Sequence, residues 1–154
     1  MSDGLWLSVY RQPYDPMPAI EAWRAGEVER ASQELWDHLY HQGAINSASF
    51  AAVELLVRMI EEQSVPDWRA YALIASIEGG RLDHGNPPLP VTLSASYHAA
   101  WAKLLPLALR DLSIAQADLE VRAVLAVVCY AKGQHRLAAI TLCTEDERAE
   151  MLGE

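Results

Sequence analysis

Asp118-Leu119-Glu120-Val121-Arg122-Ala123 opens the most apolar helical stretch of the chain, and its design decides how the rest is read. An acidic start is followed by an apolar residue and then by Arg-Ala. The same order stands at Pro66-Asp67-Trp68-Arg69-Ala70 and, more loosely, at Gly26-Glu27-Val28-Glu29-Arg30-Ala31. Acid near a helix N-terminus complements the backbone dipole. An Arg one turn further in can reach the acid of a neighbouring copy. Aligned on the Arg, the copies are 39 residues apart (30 to 69) and then 53 (69 to 122).

Working outward, the apolar periodicity is helical almost throughout. Val28, Ala31, Leu35, Leu39 and Gln42 share one stripe, with Arg30, Gln33 and Asp37 opposite, and Gly43 falls where a helix C-cap is wanted. Asn46 or Ser47 can cap a second helix carrying Val53, Leu56, Val57 and Ile60. Pro66 marks the first turn of a third helix, which Gly79 and Gly80 are expected to end. Gly79 to Val91, with three Gly and three Pro, reads as a long loop. Thr92 or Ser94 starts a fourth helix through Tyr97, Trp101, Leu104, Leu105, Ala108 and Leu112, with Pro106 expected to kink it. Residues 118–132 and 134–142 form the last pair, separated by Gly133. Thr144 and Glu147 have the spacing of a capping box. Trp6 to Tyr10 is the one short strand candidate, and residues 1–17 read as irregular, with Pro13, Pro16 and Pro18 as stops.

The repeat design resembles the HEAT repeat, two helices in about 40 to 47 residues. The second spacing is longer because the 79–91 loop lies inside it. The expected fold is therefore all-α, a single domain over 1–154 built as a short HEAT-like α-solenoid of about three antiparallel helix pairs. A narrower resemblance is carried by Leu35-Trp36-Asp37-His38-Leu39-Tyr40-His41-Gln42-Gly43 followed by Ser47-Ala48-Ser49-Phe50-Ala51-Ala52-Val53. This is similar to a family of bacterial HEAT-like proteins with a His-Gln-Gly turn, among them uncharacterised and immunity-type proteins. Glu54 stands where that pattern has proline. The resemblance implies the fold first. It implies a binding role only as one of many that solenoids host.

Composition bounds the rest. The chain has 154 residues, of which 51% are hydrophobic, so one core is affordable and disorder is excluded. Twelve Lys and Arg against 21 Asp and Glu give a net charge of −9, which argues against nucleic acid as partner and against a DNA-repair scaffold with a basic channel. The start, Met1-Ser2-Asp3-Gly4, has no basic region leading into an apolar run. The uncharged stretch Ala123 to Ala131 has nine residues, and a span needs about twenty. The expectation is a cytoplasmic protein without membrane contact. Cys129 and Cys143 fit a reducing compartment. On adjacent helices joined near Gly133 they would be offset by about six residues, or about 9 Å, too far to pair, so both are read as core thiols.

No motif names a reaction. Glu34, His38 and His41 fall at i, i+4 and i+7 on the 27–42 helix, with Asp37 nearby, and are the basis of an alternative reading as a metal-dependent enzyme. A metal site there would need a ligand from a second helix. The simpler reading has His41 closing a helix end and His38 packed at a repeat interface. Asp83 and His84 are an acid and a base in the long loop, and Ser94, Ser96 and His98 are near neighbours without a nucleophile-elbow pattern. The five Trp read as packing residues, and no cofactor is expected. The charge points to function most directly. Glu54, Glu61 and Glu62 on a second helix, with Asp83 and His84, are the expected partner-binding residues of an acidic concave face. The expected function is a non-catalytic protein-interaction module, most concretely an immunity-type protein that masks a basic partner such as a toxin or effector.

Overall fold

The structure, a computed structural model, describes residues 5–154. Eight helices follow in chain order: α1 Met17–Arg24, α2 Val28–Leu39, α3 Ser47–Glu62, α4 Trp68–Arg81, α5 Val91–Leu112, α6 Asp118–Ala131, α7 His135–Leu142 and α8 Glu145–Leu152. Among the described residues no strand forms. The Trp6–Tyr10 candidate makes one isolated antiparallel bridge, Leu7 with Pro13. No described helix is long and apolar enough to cross a membrane.

Residues 5–16 are held by the helices they precede. The Leu7 amide donates to Ser47 Oγ (2.8 Å), the Leu7 carbonyl accepts from the Ala48 amide (3.0 Å), and the Val9 amide donates to the His38 carbonyl (2.9 Å). The segment thus satisfies an orphan donor at the start of α3 and an orphan acceptor at the end of α2. Met1 to Gly4, the start of the irregular 1–17 segment, lie outside the described residues. Helix α1 is an element that the prolines concealed. Pro16 is its N-cap and Pro18 lies in its first turn, where a missing N–H leaves no bond unmade. Its inner face buries Ala19, Ile20 and Trp23.

Helix α4 is the middle of the molecule. It packs along α6 and touches α2, α3 and α7. Tyr71, Leu73, Ile74, Ala75 and Ile77 are all fully buried, so apolar residues occupy nearly every side of it. Helix α3 packs along α5, α6 along α5 and α7, and α1 along α2. Phe50 of α3 meets Tyr97 of α5 edge-on, ring centroids 5.6 Å apart. Bonds between separate parts of the chain recur at a separation of about forty residues. Arg69 pairs with Glu29, Tyr71 Oη donates to Asp111, and Asn86 Nδ2 donates to the Gly43 carbonyl. The Arg69–Glu29 pair joins two of the three segments aligned in the sequence. Arg30 and Arg122 pair instead with acids one turn back, Glu27 and Asp118.

Several boundaries differ from the sequence reading. Gly79 and Gly80 do not end α4, which continues to Arg81, so the loop is 82–90 rather than 79–91. Close packing explains the two glycines: a Cβ at Gly79 would stand 2.7 Å from Tyr130 Oη, and one at Gly80 would stand 2.8 Å from Ile45 Cγ2. Pro66 precedes α4, whose N-cap is Asp67, with Oδ1 accepting from the Arg69 amide (3.0 Å). Helix α5 starts at Val91 rather than Thr92 or Ser94, and it is continuous through Pro106. Pro106 and Ala102, whose carbonyl it leaves without the helical bond, are both exposed, so water can serve that acceptor. Gly43 is not a helix C-cap. Helix α2 ends at Leu39, Tyr40 is extended, and His41 and Ala44 exchange backbone bonds around Gln42 (φ 48°) and Gly43 (φ 87°). Positive φ at both central residues marks a type I′ turn. Asn46 caps α3 and Thr144 caps α8 in a capping box with Glu147. Cys129 is buried, but Cys143 is only half-buried, its thiol bonded to the Ala139 carbonyl, so one of the two expected core thiols lies at the edge; both are free.

Candidate docking groove

The site is built on one stripe of α4. Trp68, Ala72, Ser76 and Gly79, continued by Asp83 just beyond the helix, fall at steps of four, four, three and four, so they share a face. That face is where the packing of α4 is left open. The three middle residues are small, so the stripe makes a low floor. Trp36 of α2 and Tyr40 just beyond it stand on one side, and Leu119, Arg122 and Tyr130 of α6 with Leu142 of α7 on the other. Trp36 and Tyr40 meet edge to face at 5.8 Å, which fixes the first wall.

Three hollows share linings along this floor. One of 280 Å³ lies among Tyr40, Ser76, Gly79, Asp83 and Tyr130. A second of 190 Å³ shares Ser76 and Leu142 with it and extends past Trp36, Ala72 and Arg122 to Trp68. A third, broad and open, of 670 Å³, shares Trp68 and reaches Glu62, Asp67, Arg69 and Glu120. The apolar middle is therefore rimmed by carboxylates at both ends.

The arginines in the groove are engaged. Arg69 pairs with Glu29 and Asp67 and lies over the Trp68 ring at 5.2 Å. Arg122 pairs with Asp118 and donates to the Leu142 and Cys143 carbonyls. Behind the floor, buried Glu78 accepts from Arg81 through both oxygens (2.8 and 2.6 Å) and from the Tyr97 hydroxyl. The Arg81 guanidinium is held above its ordinary range chiefly by the hydrogen bonds to Glu78. Tyr130 is pushed up by burial, and then by Glu78 and Tyr40, so its phenol stays protonated as a donor.

The residues expected at a partner face are dispersed. Glu62 and Asp83 lie at opposite ends of the groove. Glu54 pairs with Arg58 and lines a separate 90 Å³ hollow between α3 and α5, beside Lys103. Glu61 is exposed on α3, and His84 is exposed in the loop. The aromatic groove was not found from the sequence, where its Trp residues read as packing; the small-residue stripe 72, 76, 79 was the available signal.

The metal candidates do not converge. Glu34 accepts from the Tyr14 hydroxyl (3.1 Å) and pairs with Arg30, while His38 stacks on the same Tyr14 ring at 4.2 Å rather than at a repeat interface. Tyr14 is pushed well up by burial and then by Glu34. His41 is exposed in the 41–44 turn, facing Tyr10 at 6.1 Å, and does not close the helix. Among the described residues no group of three His, Cys, Asp or Glu is placed to hold a metal. His98 contacts the Ser94 carbonyl one turn back (2.7 Å) on the exposed side of α5.

Loop 82–90 is pinned by Asn86, a loop residue to which the sequence assigns no role. Its Nδ2 donates to the Gly43 and Gly80 carbonyls (both 2.8 Å), and its Oδ1 accepts from the Ile45 amide (3.3 Å). Asp83 Oδ1 accepts from the Gly85 amide (2.9 Å). This holds Asp83 at the groove mouth.

The ion pairs sort the charge. Eight arginines (24, 30, 58, 69, 81, 110, 122 and 148) pair with acids of the chain, leaving Arg11, Lys103, Lys132 and Arg136 outside ion pairs among the described residues. Asp15, Asp37, Glu61, Asp83, Glu120, Asp146, Glu147, Glu150 and Glu154 are likewise outside ion pairs, so nine carboxylates face four bases. No family model, curated protein or solved structure matches the chain.

Proposed function

We propose that the chain is a short HEAT-like α-solenoid acting in the cytoplasm as a non-catalytic protein-interaction module, an immunity-type protein that binds and masks a basic protein partner. The observation that carries this is the sorting of charge: among the described residues, internal ion pairs take up most of the arginines and leave nine carboxylates against four bases. Such a surface attracts a cationic partner and speeds encounter. The solenoid reading is supported by bonds at a separation of about forty residues and by the packing of α3 on α5 and α4 on α6, each two elements apart. The sequence reading put the binding face on the second helices. The α4 groove is a better seat, because it combines apolar area with a carboxylate outside ion pairs at each end, Asp83 and Glu120, whereas Glu54 is tied to Arg58.

The test is calorimetric titration with a cationic peptide and its charge-reversed counterpart. Binding of the cationic peptide at low salt, weakened as salt screens it, is expected. No binding at low salt, or equal binding of the anionic peptide, overturns the proposal.

A further inference from the structure

We infer that the hollow between Tyr40, Tyr130 and Asp83 seats an arginine or lysine side chain of the partner protein, whose neighbouring apolar residues lie along the Trp36–Trp68 track. This rests on the reading of the chain as a module for a basic protein. It adds the place and the chemistry of recognition.

Each part of the hollow suits a cation. Two tyrosines line it, and the face of an aromatic ring attracts a guanidinium or ammonium group. Asp83 stands at the mouth, outside any ion pair among the described residues, its one hydrogen bond there taken from the Gly85 amide. A charge-assisted bond to Asp83 is therefore open to an incoming donor. The groove's own arginines do not compete, since Arg69 and Arg122 are each held by acids of the chain. Gly79 keeps the floor low enough for the Tyr130 hydroxyl to rest against it.

The occupant is a segment of protein rather than a free cation. From Trp68 to Asp83 the floor runs about 22 Å at the helical rise, longer than a single amino acid. Its middle is apolar, lined by Trp36, Ala72 and Leu142, which a free cation would leave unused. The second acidic end, where Glu120 stands outside any ion pair among the described residues, offers a place for another basic residue of the same segment.

The probe is an amphipathic peptide with arginine at every fourth position, compared with its citrulline counterpart and with free arginine, followed by amide and tyrosine-ring chemical shifts. The arginine peptide is expected to shift Tyr40, Tyr130 and Asp83, and Asp83→Asn to weaken it about tenfold, the loss of one charge-assisted bond. Asp146→Asn, which removes the same charge from α8, is expected to change binding far less. The citrulline peptide should bind weakly and ignore Asp83→Asn. Ser76→Leu, which raises the floor, gives a second blocking variant; amide spectra establish that each variant is folded. Peptide binding that maps to α3 or α8 and ignores Asp83→Asn overturns the inference and leaves the basic-partner reading standing. Free arginine binding as tightly as the peptide overturns the choice of a protein segment. Absence of peptide binding at low salt overturns both.

Discussion

Tyr130 Oη lies 2.7 Å from the point where a Cβ on Gly79 would stand, so a glycine in the last turn of α4 and a tyrosine on the neighbouring helix together shape the groove floor. Gly80, one residue on, is enclosed by Ile45 at 2.8 and 3.2 Å and by the Gly43 carbonyl at 3.3 Å. The two glycines should therefore respond differently to alanine. Gly79→Ala gains up to about 1 kcal/mol of helix propensity and meets only the far end of a tyrosine side chain, so stability should stay within about 1 kcal/mol of the parent. The Tyr130 ring should move, visible in its chemical shifts. Gly80→Ala is overpacked against branched carbon and backbone and should cost about 1–3 kcal/mol in denaturant unfolding.

Asp67 carries two duties, N-cap of α4 and acceptor for the buried Trp23 indole N–H (3.0 Å). Asp67→Ala should cost about 2–4 kcal/mol, a lost cap plus an orphaned donor. Asp67→Asn should recover most of it, because the amide oxygen can still accept. The Arg69–Glu29 pair sits nearby, but Glu29 is 83% exposed, so Glu29→Gln should cost at most about 1 kcal/mol. Equal losses from Glu29→Gln and Asp67→Ala in thermal unfolding would contradict this ranking.

The Tyr71 hydroxyl donates to Asp111, which is 1% exposed and also accepts from Arg110 (2.7 Å). Arg110 in turn donates to the Ile60 and Gln63 carbonyls at the end of α3. Tyr71→Phe removes one bond to a buried charge and should cost about 1.5–3 kcal/mol, measured by denaturant midpoint with an unchanged slope.

Alkaline pH should destabilise the fold. Tyr71 is pushed up by burial and then by its bond to Asp111, and Tyr97 by burial and then by Glu78. Below the usual tyrosine value of about 10 the phenols are protonated in both states and their bonds contribute in full. Above it the unfolded chain releases these protons while the folded chain keeps them, so stability falls as pH rises through that range. Each retained proton contributes a slope of about 1.4 kcal/mol per pH unit. Denaturant midpoints measured from neutral to strongly alkaline pH should show the decline, and Tyr97→Phe should flatten it. A midpoint indifferent to pH above 10 would contradict the assignment.

The helical character was legible because it rests on local chemistry. Thr144 with Glu147 and the apolar stripe from Tyr97 to Leu112 report their own helices. The misread boundaries depend on distant atoms. Gly79 and Gly80 read as a helix end because the residues that need their bareness, Tyr130 and Ile45, are fifty-one positions ahead and thirty-five behind. Helix α1 was hidden because proline reads as a stop wherever it stands, although a first turn tolerates it. The acidic balance was visible, but its distribution was not. Only the ion pairs show that Glu54 is neutralised by Arg58 while Asp83 is left at a cavity mouth. The groove itself comes from α2, α4, α6 and α7 together, so no single periodic segment announces it.

One amide side chain, that of Asn86, joins three stretches of backbone: the 41–44 turn, the end of α4 and the loop that follows. The Ile45 N–H, which leans on that amide, becomes a natural sentinel. Its rate of deuterium uptake registers each release of the 82–90 loop, and with it each excursion of Asp83 from the rim, without any label attached to the protein.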